Sequence, residues 1–246
     1  IDTGEHPNGA LGESYPIEIT KIAYPDKKTG RIKIKNYEKS KAISVLAHEK
    51  TLGNIVMTFN GDLIASASES GTIIRIFETE TGNLLQEVRR GKDKAVINCI
   101  TFSENKKYIM ASSNRGTVHV WSLNTASKNL QKNNLEGEDE DYEKNEHNQI
   151  SEDNKENKKK DKKDGKEIMN RKSFLGVLPK KLGGDYFGSE KSFAQVRISE
   201  PKSICTFGEN DTIIVVCLNG KYYKAQMDLH KGGECKIIQE KEFMEK

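Results

Sequence analysis

Four glycines, Gly30, Gly71, Gly116 and Gly220, each open a short run in which apolar and polar residues alternate, as in Gly116-Thr117-Val118-His119-Val120-Trp121. Alternation is the pattern of a strand with one face buried, because successive side chains leave a pleated backbone on opposite sides. The glycines are 41, 45 and 104 residues apart, and the last interval becomes one further period once an insertion of about 60 residues is taken out of it. Two units align closely, 63–72 against 108–117, and a further strand-like run precedes each, 54–59 and 98–102. A period of roughly 40–45 residues built from short strands and tight turns is the mark of propeller blades. Helical periodicity is nearly absent. The expected fold class is all-β, a β-propeller.

About four blades are legible, and closed rings of this kind hold about seven. Roughly three blades are therefore expected to precede Ile1, and the first unit shows no opening strand. Residues 1–123 are read as about blade four to most of blade six, 124–191 as an inserted loop, and 192–246 as the end of blade six and the last blade. The final strand is expected from the run Glu234-Cys235-Lys236-Ile237-Ile238. A fragment of a ring exposes unpaired strand edges and is expected to aggregate.

Within the insertion, 131–170 is rich in Asn, Lys, Glu and Asp and has too few apolar residues to bury a core. It is expected to be disordered. The segment that follows, 171–188, differs: Arg171 and Lys172, then Phe174, Leu175, Val177 and Leu178, then Lys180 and Lys181. Gly176 and Pro179 forbid a long helix. Such a basic-flanked apolar segment suits a membrane interface or a place beneath its own blade.

Charge narrows the partners. The net charge is +3, yet 131–170 alone carries −4, so the remainder carries +7. A basic folded part favours an anionic partner: nucleic acid, a membrane surface or an acidic peptide. The four cysteines, Cys99, Cys205, Cys217 and Cys235, show no CxxC spacing and suit reduced thiols better than a disulfide framework or a zinc site. No P-loop, GxSxG or HExxH occurs, and the five histidines lack metal-ligand spacing. No enzyme, cofactor or metal is expected.

The polar residues inside the strands carry more. Arg89 and Arg90 lie between an apolar run and Gly91, at the seam of two strand systems. In extended backbone the two side chains diverge, so they serve two pockets rather than one unless the turn before Gly91 twists them together; a solvated basic turn between strands is the other reading. Ser66 and Ser68 share a face, Thr72 and Arg75 follow across a turn, and the next blade offers Ser112, Ser113, Thr117 and His119. Hydroxyls, imidazole and guanidinium together suit a phosphate monoester; a ladder of Ser/Thr hydrogen bonds within the blade is the other reading.

The stretches 65–77, 85–91 and 111–121, with Leu85-Gln86-Glu87-Val88-Arg89-Arg90-Gly91 at their centre, resemble the PROPPIN family of WD-repeat propellers. Asp2-Thr3-Gly4, Leu178-Pro179-Lys180 and Ile204-Cys205-Thr206-Phe207-Gly208 point to its WD-repeat 45-like branch. The resemblance covers the chain except about 124–170. It implies seven blades, binding of phosphatidylinositol 3-phosphate and phosphatidylinositol 3,5-bisphosphate, and a role in autophagy. It further implies one site with His48, Ser66, Ser68, Gly71, Thr72, Arg75 and Arg89, and a second with Arg90, Gly91, Ser113, Thr117 and His119. Phe174, Leu175, Val177 and Leu178 fall in the loop that assists membrane insertion in the family. Val88 stands where the family has Phe or Leu, and Arg115 adds a charge beside the second site. The implied partners are a phosphoinositide-containing membrane surface and an autophagy lipid-transfer protein. The implied location is cytoplasmic, with recruitment to autophagosome-precursor and endosomal or vacuolar membranes, as a monomer. The reading set against it is a WD-repeat scaffold for protein contacts whose basic rim is incidental. Nucleic acid is disfavoured because no aromatic stacking platform accompanies the charge.

Overall fold

The structure, a computed structural model, describes residues 12–13, 21–124 and 190–243. All regular elements among them are strands. The first sheet is β1 (Gly12–Glu13), β2 (Lys21–Pro25), β3 (Arg31–Asn36) and β4 (Lys41–Leu46). The second is β5 (Leu52–Met57), β6 (Leu63–Ser68), β7 (Ile73–Glu78) and β8 (Leu84–Arg89). The third contains β9 (Ile97–Phe102), β10 (Tyr108–Ser113), β11 (Thr117–Ser122) and β12 (Ala194–Arg197). The fourth contains β13 (Ser203–Phe207), β14 (Thr212–Cys217) and β15 (Lys221–Gln226), closed by a strand described below. Each is an antiparallel meander in chain order, the arrangement of propeller blades.

Consecutive sheets pack face to face. Ile32, Ile34 and Val45 of the first sheet meet Ile55, Ile64 and Phe77 of the second. Ile74, Ile76 and Val88 of the second meet Ile100, Ile109 and Trp121 of the third. Val118, Val120 and Val196 of the third meet Ile213, Val215 and Tyr223 of the fourth. Each buried aliphatic side chain contributes about 1.5–3 kcal/mol, so these three interfaces dominate the fold's stability. Burial on both faces explains why β6 (Leu-Ile-Ala-Ser-Ala-Ser) and β10 (Tyr-Ile-Met-Ala-Ser-Ser) are nearly continuously buried rather than alternating.

The landmark glycines all occupy the left-handed region, with φ of 73° at Gly30, 57° at Gly71, 68° at Gly116 and 85° at Gly220. Each turns the second strand of its sheet into the third. At Gly71 the requirement is double, because a Cβ there would also sit 1.9 Å from the carbonyl oxygen of Ala95.

Two expectations change. The first sheet does have an opening strand, the two-residue β1, which pairs with Ile22 and Ala23 of β2. It is too short to show periodicity. The run around Cys235 is also not one strand: β16 (Gly233–Glu234) joins the edge of the third sheet parallel to β12, and β17 (Lys236–Glu242) closes the fourth. Gly232 and Gly233, both at positive φ, redirect the chain there, and hydrogen bonds from Gly233 N to Phe193 O and from Cys235 N to Gln195 O hold it.

The connection between third and fourth strands recurrently lies on the outer strand of the preceding sheet. Gly82 sits against Val45, Glu190 bridges Val88 in parallel, and β16 lies beside β12. Residue 190 therefore lies beside the end of β8, next to the arginine pair.

Candidate functional site

Register decides which polar groups meet. Ser66 lies opposite Arg75, Arg75 opposite Glu87, and Ile73 opposite Arg89. Ser66, Ser68, Arg75, Glu87 and Arg89 thus share the face of the second sheet turned to the first, while Ala67, Ile74 and Val88 face the third. In the third sheet, Ser113 lies opposite Thr117 and Ala111 opposite His119; with Gln195 and Arg197 they share the face turned to the second sheet. Two polar clusters result, one on each side of the second sheet.

In the first cluster His48 follows β4, placed by hydrogen bonds from Ala47 N and His48 N to Gly30 O. It is only 5% exposed. Its Nε2 is 3.2 Å from the carbonyl oxygen of Ser66 and 3.1 Å from the Ser66 hydroxyl. A carbonyl can only accept, so Nε2 carries the proton. Burial, then the Arg75 charge, lowers the imidazole to about 4, leaving it neutral near pH 7. Fully buried Ser66 is a support for His48, as in the hydroxyl-ladder reading, whereas Ser68 and Thr72 are half-buried at the end of the hairpin.

Arg75 carries a feature that sequence reasoning missed. Its Nε donates to Glu87 Oε2 at 2.7 Å and its Nη1 to Ala47 O at 2.7 Å. These bonds occupy two of the five guanidinium N–H donors and aim the group. The signal for Glu87 was available: it lies two residues before Arg89, hence on the same face.

The second cluster is more electropositive. Arg90 lies just past β8. Its backbone N–H donates to Thr72 O, its Nε to Gly71 O at 2.9 Å, and its Nη2 to Asp93 O. Gly71 thus bonds on both sides, its N–H donating to Ser68 O of the first cluster at 2.9 Å and its carbonyl accepting from Arg90, and Gly91 N also reaches Thr72 O at 3.4 Å. Burial and repulsion from Arg115 lower the Arg90 guanidinium, with Asp93 opposing. His119 is lowered to about 4 by burial, then by Arg90 and Arg197. It stacks on Trp121 with ring centroids 5.7 Å apart, and its Nδ1 is 3.2 Å from the Ser192 hydroxyl. Ser113, 1% exposed, has no hydrogen-bond partner for its hydroxyl among the described residues. Its neighbour Ser112 points the other way, donating to Ser203 O at 2.7 Å. Arg197, opposite Thr117, was not among the expected residues: alternation in β12 puts it on this face, but only pairing across the insertion brings it to the site.

Asn124 and Glu190 meet each other and Gln86. Gln86 Nε2 donates to Ser122 O and to Glu190 Oε2, Asn124 N donates to Gln86 Oε1, and Asn124 Nδ2 donates to Glu190 Oε1 at 2.8 Å. The expected membrane-contact residues Phe174, Leu175, Val177 and Leu178 lie outside the described residues. Among the described residues no group of His, Cys, Asp or Glu is placed to hold a metal ion.

Comparisons with known proteins agree with this architecture. Autophagy-related protein 18e of Arabidopsis thaliana is 28% identical over 245 residues, covering 99% of this chain and 55% of the relative. WD repeat domain phosphoinositide-interacting protein 1 of Homo sapiens is 29% identical over 248 residues, covering 97% of this chain and 49% of the relative. The chain spans about half the length of these curated relatives. Among solved structures, Kluyveromyces lactis Hsv2 superposes with a TM-score of 0.62 at 16% identity, over 94% of this chain and 61% of that one, a likeness of fold. The family model described as PROPPIN matches residues 1–136, which contain the arginine pair and most of both clusters. The chain belongs to the PROPPIN family.

Proposed function

We propose that this chain is the lipid-reading part of a non-enzymatic membrane-recruitment protein of autophagy, and that the two polar clusters each take one phosphoinositide headgroup phosphorylated at the 3-position. The observation that carries the reading is the second cluster. Arg90 and Arg197 raise a positive potential around His119, Arg115 adds to it at Arg90, Glu234 offsets part of it through an exposed ion pair with Arg197 at 3.4 Å, and the buried Ser113 hydroxyl on the same face has no partner among the described residues. An anion entering this cluster would relieve the repulsion between Arg90 and Arg115, and each charge-assisted hydrogen bond to that anion contributes about 1.5–3 kcal/mol. The human relative's name, a phosphoinositide-interacting protein, accords with a phosphate as that anion. The first site would use His48, Ser68, Thr72, Arg75 and Arg89, with Ser66 behind His48. The second would use Arg90, Ser113, Thr117, His119 and Arg197, with Gly71 and Gly91 shaping the turns. Two weak sites on one rigid body gain avidity on a membrane, and nearby lysines add about 1 kcal/mol each against anionic lipid. Membrane contact by Phe174, Leu175, Val177 and Leu178, and recruitment of a lipid-transfer protein, belong to the same proposal.

Calorimetric titration with soluble inositol 1,3-bisphosphate tests it. Two headgroups per chain are expected, and no binding overturns the reading. The sign of the pH dependence is also fixed. Both imidazoles are neutral in the free protein, and a bound phosphate raises their pKa, so binding takes up protons. Affinity therefore rises as the solution goes from about pH 7.5 to about pH 6, the range in which a histidine can be recruited to charge.

Glu87→Gln offers a gain rather than a loss. Neutralising the carboxylate that engages Arg75 raises the local potential and frees an N–H for phosphate, so vesicle cosedimentation is expected to strengthen by roughly 3–10-fold at low salt. Weaker cosedimentation would show that Glu87 acts by aiming Arg75.

A further inference from the structure

The third and fourth sheets are joined by a contact that headgroup binding does not use. Cys99 on β9 is half-buried and Cys205 on β13 is buried. The Cys99 sulfur lies 3.5 Å from Cys205 O and 3.5 Å from the Thr101 hydroxyl, which itself donates to Cys205 O at 3.1 Å. The Cys205 side chain lies in the apolar cluster between the third and fourth sheets, and Cys99 packs against that same cluster. Cys217 and Cys235 share no such contact: Cys217 faces the Glu200 carboxylate at 4.0 Å, and both thiols are raised by burial.

We propose that Cys99 and Cys205 are a peroxide-reactive pair that closes to a disulfide across the interface between the third and fourth sheets. Cys99 is the attacking sulfur. It is the more exposed, and hydrogen bonding with Cys205 pulls it down to about 6, against the opposing effect of burial. The Cys99 thiolate attacks one oxygen of hydrogen peroxide; an S–O bond forms, the O–O bond breaks and hydroxide leaves, giving Cys99 sulfenic acid. Cys205 then attacks the Cys99 sulfur. The S–S bond forms, the S–O bond breaks, and the departing hydroxide takes the Cys205 proton as water. In sum two thiols are oxidised by two electrons and one peroxide is reduced to two waters. The sulfurs must approach to about 2.05 Å, and the Cys99 sulfur already lies 3.5 Å from the Cys205 backbone. The bond would link residues 106 apart in sequence, restricting the unfolded chain and stiffening the sheet that carries His119 and Arg197.

The test is non-reducing peptide mapping of the full chain after brief treatment with hydrogen peroxide. The expected product is a Cys99–Cys205 cross-linked peptide, with the intact chain lighter by two hydrogens and melting at a higher temperature than the reduced chain. In Cys205→Ser, Cys99 sulfenic acid should persist and be captured by dimedone; in Cys99→Ser, Cys205 should remain a thiol. Oxidation of Cys217 or Cys235 at the same rate, a disulfide between chains, or Cys99 sulfinic acid without a cross-link in the unsubstituted protein overturns the proposal. The mapping of the unsubstituted protein decides the matter even if a variant fails to fold.

Discussion

Replacing Arg89 and Arg90 together by threonine is expected to abolish flotation with vesicles containing phosphatidylinositol 3-phosphate, while either single replacement leaves one working site. The two arginines leave the end of β8 toward different neighbours. Arg89 shares the face of Arg75 and Glu87, and Arg90 lies within electrostatic reach of His119. Removing the guanidinium–phosphate hydrogen bond from one site takes away about 1.5–3 kcal/mol, or roughly 10–150-fold in that site's affinity. A single variant also forfeits avidity, because one engaged site no longer raises the effective concentration of the other. Arg90 holds Gly71 O and Asp93 O, so Arg90→Thr loosens the turn as well as removing charge, and it should weaken binding more than Arg89→Thr. Undiminished flotation of a folded double variant would refute the lipid reading; a cooperative melting transition certifies that it is folded.

Gly71→Ala is expected to lower stability by at least about 2 kcal/mol, whereas Gly91→Ala is expected to lie within about 0.5 kcal/mol of the parent. Both glycines flank the same site, so the contrast isolates backbone geometry. Gly71 has φ of 57° and a Cβ there would meet Ala95 O at 1.9 Å. An alanine must therefore accept both a left-handed conformation and displacement of the next strand's entry. At Gly91 no heavy atom lies within 4 Å of such a Cβ. Chemical denaturation of the two variants is the measurement, and equal midpoints would show that the hairpin relaxes freely around Gly71.

Much of the fold was legible because it repeats. The alternation in β3, β7, β11 and β15, and the glycine before each, are local properties of strand and turn that reappear in each sheet. What escaped was what does not repeat or is too short to have a period. The two-residue β1 shows no alternation, and the break at Cys235 depends on Phe193 and Gln195 holding a distant segment to β12. In the candidate sites the same division holds. Ser66, Ser68 and Arg75, and likewise Ser113, Thr117 and His119, could be grouped by counting faces. Burial could not be counted: fully buried Ser66 supports His48, while buried Ser113 has no partner among the described residues.

The arginine pair shows the boundary. Two adjacent residues in extended backbone point apart as a matter of chain geometry, so residue order alone sets Arg89 and Arg90 toward opposite sides unless the turn before Gly91 twists them together. Which groups wait on each side is a matter of packing. Glu87 on Arg75, Gly71 O on Arg90, Arg197 opposite Thr117 and the return of the chain at Glu190 beside Val88 all join residues that strand pairing or sheet packing brings together. Periodicity specifies the face a side chain takes. The partner it finds on that face depends on how whole sheets stack, and that is set by the shared apolar interfaces between them.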